Sequence, residues 1–213
     1  MAERTFAARE HERSSSPFGA IVLAAGGSTR MRSPKQLLSI EGTPLVVRTV
    51  QAALASCAWP IVVVLGNQGE RIRPLLARWP LQFVDNPRWE EGLGTSLAAG
   101  IEILDRFPSL LQGALVILGD QPHLSPQAVA ALGASFSGPT GIAAARYADT
   151  LGAPVIFGRS YFSELLTLPP SAGAQRVLRA HPEAVVPVDL PEFAVDLDTP
   201  EDYRRFLDNL KSR

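Results

Sequence analysis

Short apolar runs alternate along the chain with stretches whose apolar residues recur at helical spacing. The runs predict β-strands at residues 20–24, 61–65, 81–84, 116–118, 142–145, 154–157 and 184–188. The helical spacing predicts helices at residues 44–54, 71–77, 97–104, 126–132, 161–166, 174–179 and 200–210. Because strands and helices alternate, the pattern predicts an α/β protein, a three-layer α/β/α sandwich with a mostly parallel sheet.

The first predicted strand leads into a glycine-rich, cationic loop. Gly26 and Gly27 follow the apolar run, and Arg30 and Lys35 come soon after. Adjacent glycines let backbone N–H groups approach a ligand, so this loop suits a polyphosphate. An ordinary turn with solvated charges is the alternative. The loop lacks the G-x-G-x-x-G pattern of dinucleotide sites and the G-x-x-x-x-G-K-[ST] pattern of P-loops.

Composition narrows the class of protein. The 213 residues allow one domain, which we predict at residues 19–213, after a polar, disordered extension at residues 1–18. A formal net charge of -1 argues against nucleic acid as a partner. One cysteine, Cys57, excludes an internal disulfide. The sequence contains no apolar stretch long enough for a membrane span and no hydrophobic signal core, so we expect a cytoplasmic protein.

Carboxylates follow two later segments. Asp120 comes two residues after the run 116–118, where it would project from the carboxyl end of a strand toward a ligand. Asp196 and Asp198 lie two positions apart and would share one face of an extended segment. Such carboxylates could hold Mg²⁺ together with substrate phosphates. Each could equally be a turn or helix-capping residue, and Asp198 before Thr199 is a plausible N-cap.

Four motifs in order resemble one family of enzymes. They are LAAGGSTRMRSPKQLL, NPRWEEG leading to Ser96, GDQP, and DLDTPED, and the resemblance covers residues 19–203. Together they resemble the molybdenum cofactor cytidylyltransferase-like nucleotidyltransferases. The resemblance implies a Rossmann-like nucleotidyltransferase fold. It also implies that Asp120 and Asp198, and possibly Asp196, are Mg²⁺ ligands.

The resemblance also implies a role for each residue of the opening loop. Arg30 and Lys35 would offset charge on the leaving group and, with Asp120 and Asp198, form the catalytic set. The nucleotide-binding residues would be Leu23, Ala24, Ala25, Gly26, Gly27, Ser28, Thr29, Lys35, Gly92 and Ser96. In the family an alanine at position 25 goes with cytidine, so CTP is expected as co-substrate in preference to GTP.

The implied acceptor is the phosphate of molybdopterin, and a molybdoenzyme or its chaperone would receive the product. Three positions depart from the family pattern: Arg32 replaces a glycine, Ala153 a histidine and Gln175 an arginine. The last two lie in the half that would face the acceptor. Two alternatives therefore stay open: transfer to a sugar or alcohol phosphate, and a nucleotide-binding or cofactor-binding accessory protein without turnover.

Overall fold

A seven-stranded sheet forms the centre of the computed structural model, which describes residues 16–28, 31 and 33–211. The strands are β1 (Phe18–Ala24), β2 (Ser39–Ile40), β3 (Thr43–Pro44), β4 (Ile61–Leu65), β5 (Gln82–Asp85), β6 (Gly113–Leu118), β7 (Ile142–Tyr147), β8 (Thr150–Gly158) and β9 (Val185–Asp189). The sheet order is β5-β4-β1-β6-β8-β7-β9, and β2 and β3 form a separate small hairpin. Only β8 runs antiparallel to its neighbours in the seven-stranded sheet.

Helices cover both faces of this sheet. They are α1 (Leu45–Leu54), α2 (Gly69–Leu76), α3 (Leu93–Asp105), α4 (Pro126–Ser135), α5 (Phe162–Leu166), α6 (Gln175–Ala180) and α7 (Pro200–Lys211). Helices α1, α2 and α4 pack on one face, while α3, α5 and α6 pack on the other. The three-layer α/β/α prediction is therefore confirmed.

The alternation of side chains along β1 separates the two cores. Every residue of β1 is buried, as expected for a central parallel strand that is covered on both sides. Ala20, Val22 and Ala24 pack against α1, α2 and α4. Ile21 and Leu23 point into the core that contains α3. This alternation decides which residues at the end of β1 can face a ligand.

A third, smaller core joins helix α7 to the segment that contains the β2–β3 hairpin. Met31, Ile40, Leu45, Leu197 and Phe206 are buried together, so that α7 packs against the β2–β3 hairpin. The start of α7 is fixed by reciprocal hydrogen bonds: the Thr199 backbone N–H donates to Asp202 Oδ2 at 2.9 Å, and the Asp202 N–H donates to Thr199 Oγ1 at 3.2 Å. This is a capping box, so the cap is Thr199 and the Asp198 N-cap alternative is wrong.

Several boundaries differ from the sequence predictions. Strand β1 begins at Phe18, one residue before the expected domain start, and Phe18 is buried. Helix α3 begins at Leu93 instead of 97, because Gly92 with φ 131° ends the preceding loop. Residues 195–198 form no strand, so the expected extended acidic strand is wrong. Among the described residues, no helix has both the length and the apolarity that crossing a membrane requires.

Candidate active site

Three adjoining clefts lie where strands β1 and β6 end. The glycine-loop cleft, of ≈ 300 Å³, is lined by Leu23, Ala25, Gly26, Gln36, Trp89, Gly92, Leu93, Ser96, Leu118 and Asp120. The acidic cleft, of ≈ 270 Å³, is lined by Lys35, Leu118, Asp120, Gln121, Pro122, His123, Tyr147, Phe193, Val195, Asp196, Leu197 and Asp198. The apolar cleft, of ≈ 240 Å³, is lined by Leu23, Leu93, Leu97, Val116, Leu118, Tyr147, Gly152, Ala153, Gly173, Ala174, Gln175 and Leu178. Shared walls make them one continuous crevice.

The glycine loop is held in place by the short helix that follows it. Pro34 before Lys35 suggests a non-helical segment, but residues Lys35–Leu37 form a 3-10 helix. The Lys35 backbone N–H donates to Ser28 Oγ at 2.9 Å, and Gln36 Nε2 donates to the Gly26 carbonyl at 3.2 Å. Gln36 is only 4% exposed. These bonds tie Gly26 and Ser28 to the 3-10 helix.

Two glycines allow the walls of the glycine-loop cleft to approach closely. A Cβ at Gly66 would lie 2.6 Å from the Ala25 carbonyl oxygen and 2.9 Å from Trp89 Cβ. A Cβ at Gly27 would lie 2.9 Å from Trp89 Cζ3. Ordinary van der Waals contact requires a larger separation, so only glycine fits at these positions without displacing the walls.

Helix α3 begins at the opposite wall. The buried Asn86 carboxamide donates to Thr95 Oγ1 and to Ser96 Oγ, each at 2.9 Å. Asn86 Oδ1 accepts from the Arg88 backbone N–H at 3.0 Å. Asn86 therefore ties the loop before α3 to its first turn and positions Ser96, which lines the cleft.

The acidic cleft brings together the carboxylates of two distant segments. The Lys35 ammonium forms an ion pair with Asp198, 163 residues further along the chain. Burial raises the pKa of Asp120, the Asp196 and Asp198 carboxylates raise it further, and the Lys35 ammonium opposes the shift. Negative charge is thus concentrated in a partly desolvated place, and a cation there would relieve the repulsion.

The side chains present fit a divalent cation that also binds phosphate. Among residues 16–28, 31 and 33–211, no three His, Cys, Asp or Glu side chains are grouped closely enough to hold a metal ion by themselves. Mg²⁺ usually binds through one or two carboxylates and completes its shell with phosphate oxygens and water. Asp120 and Asp198 supply such a pair of carboxylates, and Asp196 lines the same cleft.

Ala153, which lines the apolar cleft, accepts two side-chain hydrogen bonds at its carbonyl oxygen. This oxygen accepts from Gln121 Nε2 at 2.7 Å and from the Tyr147 hydroxyl at 3.2 Å. Gln121 follows Asp120, so this bond couples the acidic turn to strand β8. Both departures from the family pattern noted in the second half of the chain, Ala153 and Gln175, line this one cleft.

Most of the predicted site residues converge on the crevice. Leu23, Ala25, Gly26, Gly92, Ser96, Lys35, Asp120, Asp196 and Asp198 line it, and Ser28 and Gly27 lie in the adjoining loop. The Ala24 side chain instead packs in the core of α1, α2 and α4, because alternation along β1 turns it away from its two neighbours. Thr29 and Arg30 lie outside the described residues.

Sequence reasoning missed three residues that shape the crevice. Gln36 lies in the mostly apolar stretch QLLSI, where a polar residue directly after Lys35 is a signal for a bond back to the loop. Asn86 and Trp89 lie within a motif that was noted only as a whole. An asparagine after a strand and before a proline is a signal for a turn that organises nearby backbone.

Comparison with known proteins identifies the family. The family model described as MobA-like NTP transferase domain matches residues 20–192. The chain belongs to the MobA-like NTP transferase family. The glycine loop, Asp120 and the apolar cleft all fall within the matched residues, whereas Asp196 and Asp198 follow them directly.

Solved structures of this family type share the fold. A Mycobacterium tuberculosis Rv0371c homologue from Mycobacterium sp. strain JC1 is 30% identical, with a TM-score of 0.76 over 92% of this chain and 97% of that one. Rv0371c of Mycobacterium tuberculosis in complex with manganese is 28% identical, with a TM-score of 0.66 over 91% of this chain and 99% of that one.

Curated relatives carry different names. Nicotine blue oxidoreductase of Paenarthrobacter nicotinovorans is 31% identical over 88% of this chain and 95% of its own length. The bifunctional protein GlmU of Gloeobacter violaceus is 38% identical over 67% of this chain but only 32% of its own length. The chain thus spans about a third or less of the GlmU proteins that it matches. Family membership therefore leaves the acceptor open.

Proposed function

We propose that this MobA-like protein transfers CMP from CTP to the phosphate of molybdopterin and releases pyrophosphate. The observation that supports the proposal most directly is the meeting of Lys35, Asp120 and Asp198 in the cleft beside the glycine loop. Pure nucleotide binding would need the loop but no carboxylates brought from two distant segments. The product would pass to a molybdoenzyme or its chaperone in the cytoplasm.

In this proposal the glycine loop binds the nucleotide. Leu23 and Ala25 line the base, and Ala25 favours cytosine over guanine because an alanine at this position goes with cytidine in the family that the sequence resembles. Backbone N–H groups of Gly26, Gly27 and Ser28 bind the phosphates, with Thr29 and Arg30 assigned to the same loop. Gly92 and Ser96 complete the pocket on the side of α3.

The chemistry would rest on positioning and on charge. An oxygen of the acceptor phosphate attacks the α-phosphorus of CTP in line with the departing pyrophosphate. Lys35 offsets negative charge that develops on the leaving group. Asp120 and Asp198 would hold Mg²⁺, with Asp196 available nearby, and the metal supplies further charge neutralisation when bound. The manganese complex of the related Rv0371c protein supports the use of a divalent metal.

The test is a thermal-shift panel of CTP, GTP, UTP and ATP, each with and without Mg²⁺. A ligand that binds only the folded state raises the melting temperature by mass action. We expect Mg·CTP to give the largest increase and CTP alone a smaller one. A panel of acceptors, assayed for pyrophosphate release, then separates molybdopterin from sugar and alcohol phosphates. Equal shifts for all four nucleotides, or none, would refute the CTP assignment.

Reduction of a heterocycle is a second candidate function. The observation that favours it is the near full-length similarity to nicotine blue oxidoreductase. The absence of a G-x-G-x-x-G pattern in the opening loop weighs against a dinucleotide reductant and places this candidate second. Oxidation of NADH or NADPH in the presence of a heterocyclic dye, without CTP, would establish it.

A further inference from the structure

The Lys35 ammonium contacts a carboxylate that the proposed function assigns to the metal. It forms the ion pair with Asp198, and it also acts on Asp120, because burial raises the pKa of that carboxyl and the ammonium opposes the shift. All three residues line the acidic cleft, together with Asp196. A side chain of the protein itself therefore places positive charge among these carboxylates.

The ion pair is partly removed from solvent. The Lys35 side chain is 15% exposed and the Asp198 side chain 33% exposed. Partly buried charges are screened by salt much less than charges at the surface. The carboxylate therefore attracts this ammonium more strongly than it would attract one in an exposed pair.

The backbone of Lys35 is anchored beside the glycine loop. Its N–H donates to Ser28 Oγ at 2.9 Å, and the residue begins a 3-10 helix. The lysine side chain thus starts next to the loop that would bind the phosphates, whereas its tip reaches Asp198. Lysine carries a point charge on a flexible four-carbon stem. Rotation of the side chain alone can therefore move the ammonium from one partner to the other.

The ammonium cannot neutralise the metal-binding carboxylate and the leaving group at the same time. An ammonium on Asp198 would be repelled by a divalent cation on the same carboxylate, and a partly desolvated cleft strengthens this repulsion. A triphosphate in the glycine loop offers the ammonium a second anionic partner. Binding of triphosphate would thus assist the departure of Lys35 from Asp198, and this departure would assist binding of the metal.

We propose that Lys35 is the resident counter-ion of the acidic cleft and exchanges its partner, from Asp198 to the phosphates of the nucleotide, when a divalent cation binds. The inference rests on the proposed function for the use of Asp198 as a metal ligand and of the glycine loop for phosphates. Its consequence is that the protein binds the metal weakly by itself and binds metal and nucleotide cooperatively.

The first experiment measures the binding of Mn²⁺ alone, without nucleotide, from the electron paramagnetic resonance signal of the free ion. We expect Lys35→Met to bind Mn²⁺ roughly tenfold more tightly than the native chain, a factor typical of coupled sites, although it should slow turnover. Lys35→Arg keeps the positive charge and should retain the weak binding. Arg48→Met removes a positive charge away from the crevice and should leave the Mn²⁺ affinity nearly unchanged.

The second experiment tests the exchange from the other partner. Inorganic triphosphate is titrated into the protein in metal-free buffer and followed by calorimetry. Asp198→Asn releases the Lys35 ammonium, so we expect this variant to bind triphosphate several-fold more tightly than the native chain. The control Asp120→Asn removes a carboxylate from the same cleft but keeps the ion pair of Lys35 with Asp198, and it should give a smaller gain.

Two outcomes would overturn the inference. One is Mn²⁺ affinity in Lys35→Met that equals or falls below that of the native chain, including no binding by either. The other is an equal gain in triphosphate affinity, or none, in Asp198→Asn and Asp120→Asn. Neither titration contains CTP or an acceptor, so a failure of CMP transfer would refute the proposed function while these two measurements still decide the exchange.

Discussion

Replacing Gly66 with alanine should displace residues that line the glycine-loop cleft and so lower both stability and nucleotide affinity. Gly66 follows β4 directly, and an added Cβ would lie 2.6 Å from the Ala25 carbonyl oxygen, 2.8 Å from Ala25 Cβ and 2.9 Å from Trp89 Cβ. All three neighbours are backbone or Cβ atoms, which no side-chain rotation can move away. The chain must therefore move Ala25 and Trp89 apart.

The magnitude follows from the cost of overpacking. Inserting one methyl group into a well-packed region typically costs about 1–3 kcal/mol of the free energy of unfolding. For a domain of this size, 1 kcal/mol lowers the melting temperature by about 2–4 °C, so we expect a decrease of about 2–12 °C. Because Ala25 and Trp89 line the cleft, we also expect the affinity for Mg·CTP to fall by about tenfold, or about 1.4 kcal/mol.

Gly69→Ala is the matched control. Gly69 lies three residues away at the start of α2, where an added Cβ would meet Leu65 Cβ at 3.3 Å. A shift of a few tenths of an ångström accommodates it, and alanine favours the helix. Scanning calorimetry and isothermal titration with Mg·CTP measure both effects. If Gly66→Ala melted and bound like Gly69→Ala, close packing around Gly66 would not shape the cleft.

Two further predictions concern the acidic cleft. Asp120→Asn should abolish most pyrophosphate release without unfolding the protein, because the amide fits the same space but removes a carboxylate that the proposed function assigns to the metal; native turnover in this variant would exclude Asp120 as a ligand. Lys35→Ala should reduce turnover on the order of 10²-fold, since a charge aimed at the leaving group acts in the transition state. Its control is Arg48→Ala, which removes an exposed ion pair with Glu41 away from the crevice and should change neither the turnover rate nor the stability of the fold noticeably. Similar turnover rates in Lys35→Ala and Arg48→Ala would contradict the role proposed for Lys35.

Elements set by local pattern could be predicted from the sequence. The β4 prediction matched residue for residue, because five consecutive β-branched or leucine residues between Pro60 and Gly66 leave a buried strand as the simplest interpretation. The start of α4 at Pro126 also matches the prediction, and Ser125 caps this helix, because its side chain accepts from the Ala128 N–H at 3.2 Å. Asp120 could be placed at the carboxyl end of the parallel strands in the same way, since it comes two residues after a strand that the sequence predicts.

Features set by tertiary contact could not be predicted in this way. The start of α3 at Leu93 was missed because Gly92 and Gly94 suggest a loop, whereas the Gly94 N–H is bonded to the Pro170 carbonyl at 2.9 Å in a segment far along the chain. The ion pair of Lys35 with Asp198 depends on the packing of α7 against the β2–β3 hairpin. No local spacing encodes that contact.

Strand β8, the antiparallel strand of the seven-stranded sheet, belongs to one of the two walls of the crevice, and the two walls come from different parts of the fold. The wall at the glycine loop comes from the parallel strands β1 and β6 and from α3, while the opposite wall comes from the β7–β8 hairpin and α6. The hairpin turns at Ala148 and Asp149, both with positive φ, and it contributes Tyr147 and Ala153 as one unit. Under the proposed function the first wall binds the nucleotide and the second faces the acceptor, so exchange of one hairpin and one short helix would change the acceptor while the first wall stays the same. Grafting that hairpin between relatives would test this division.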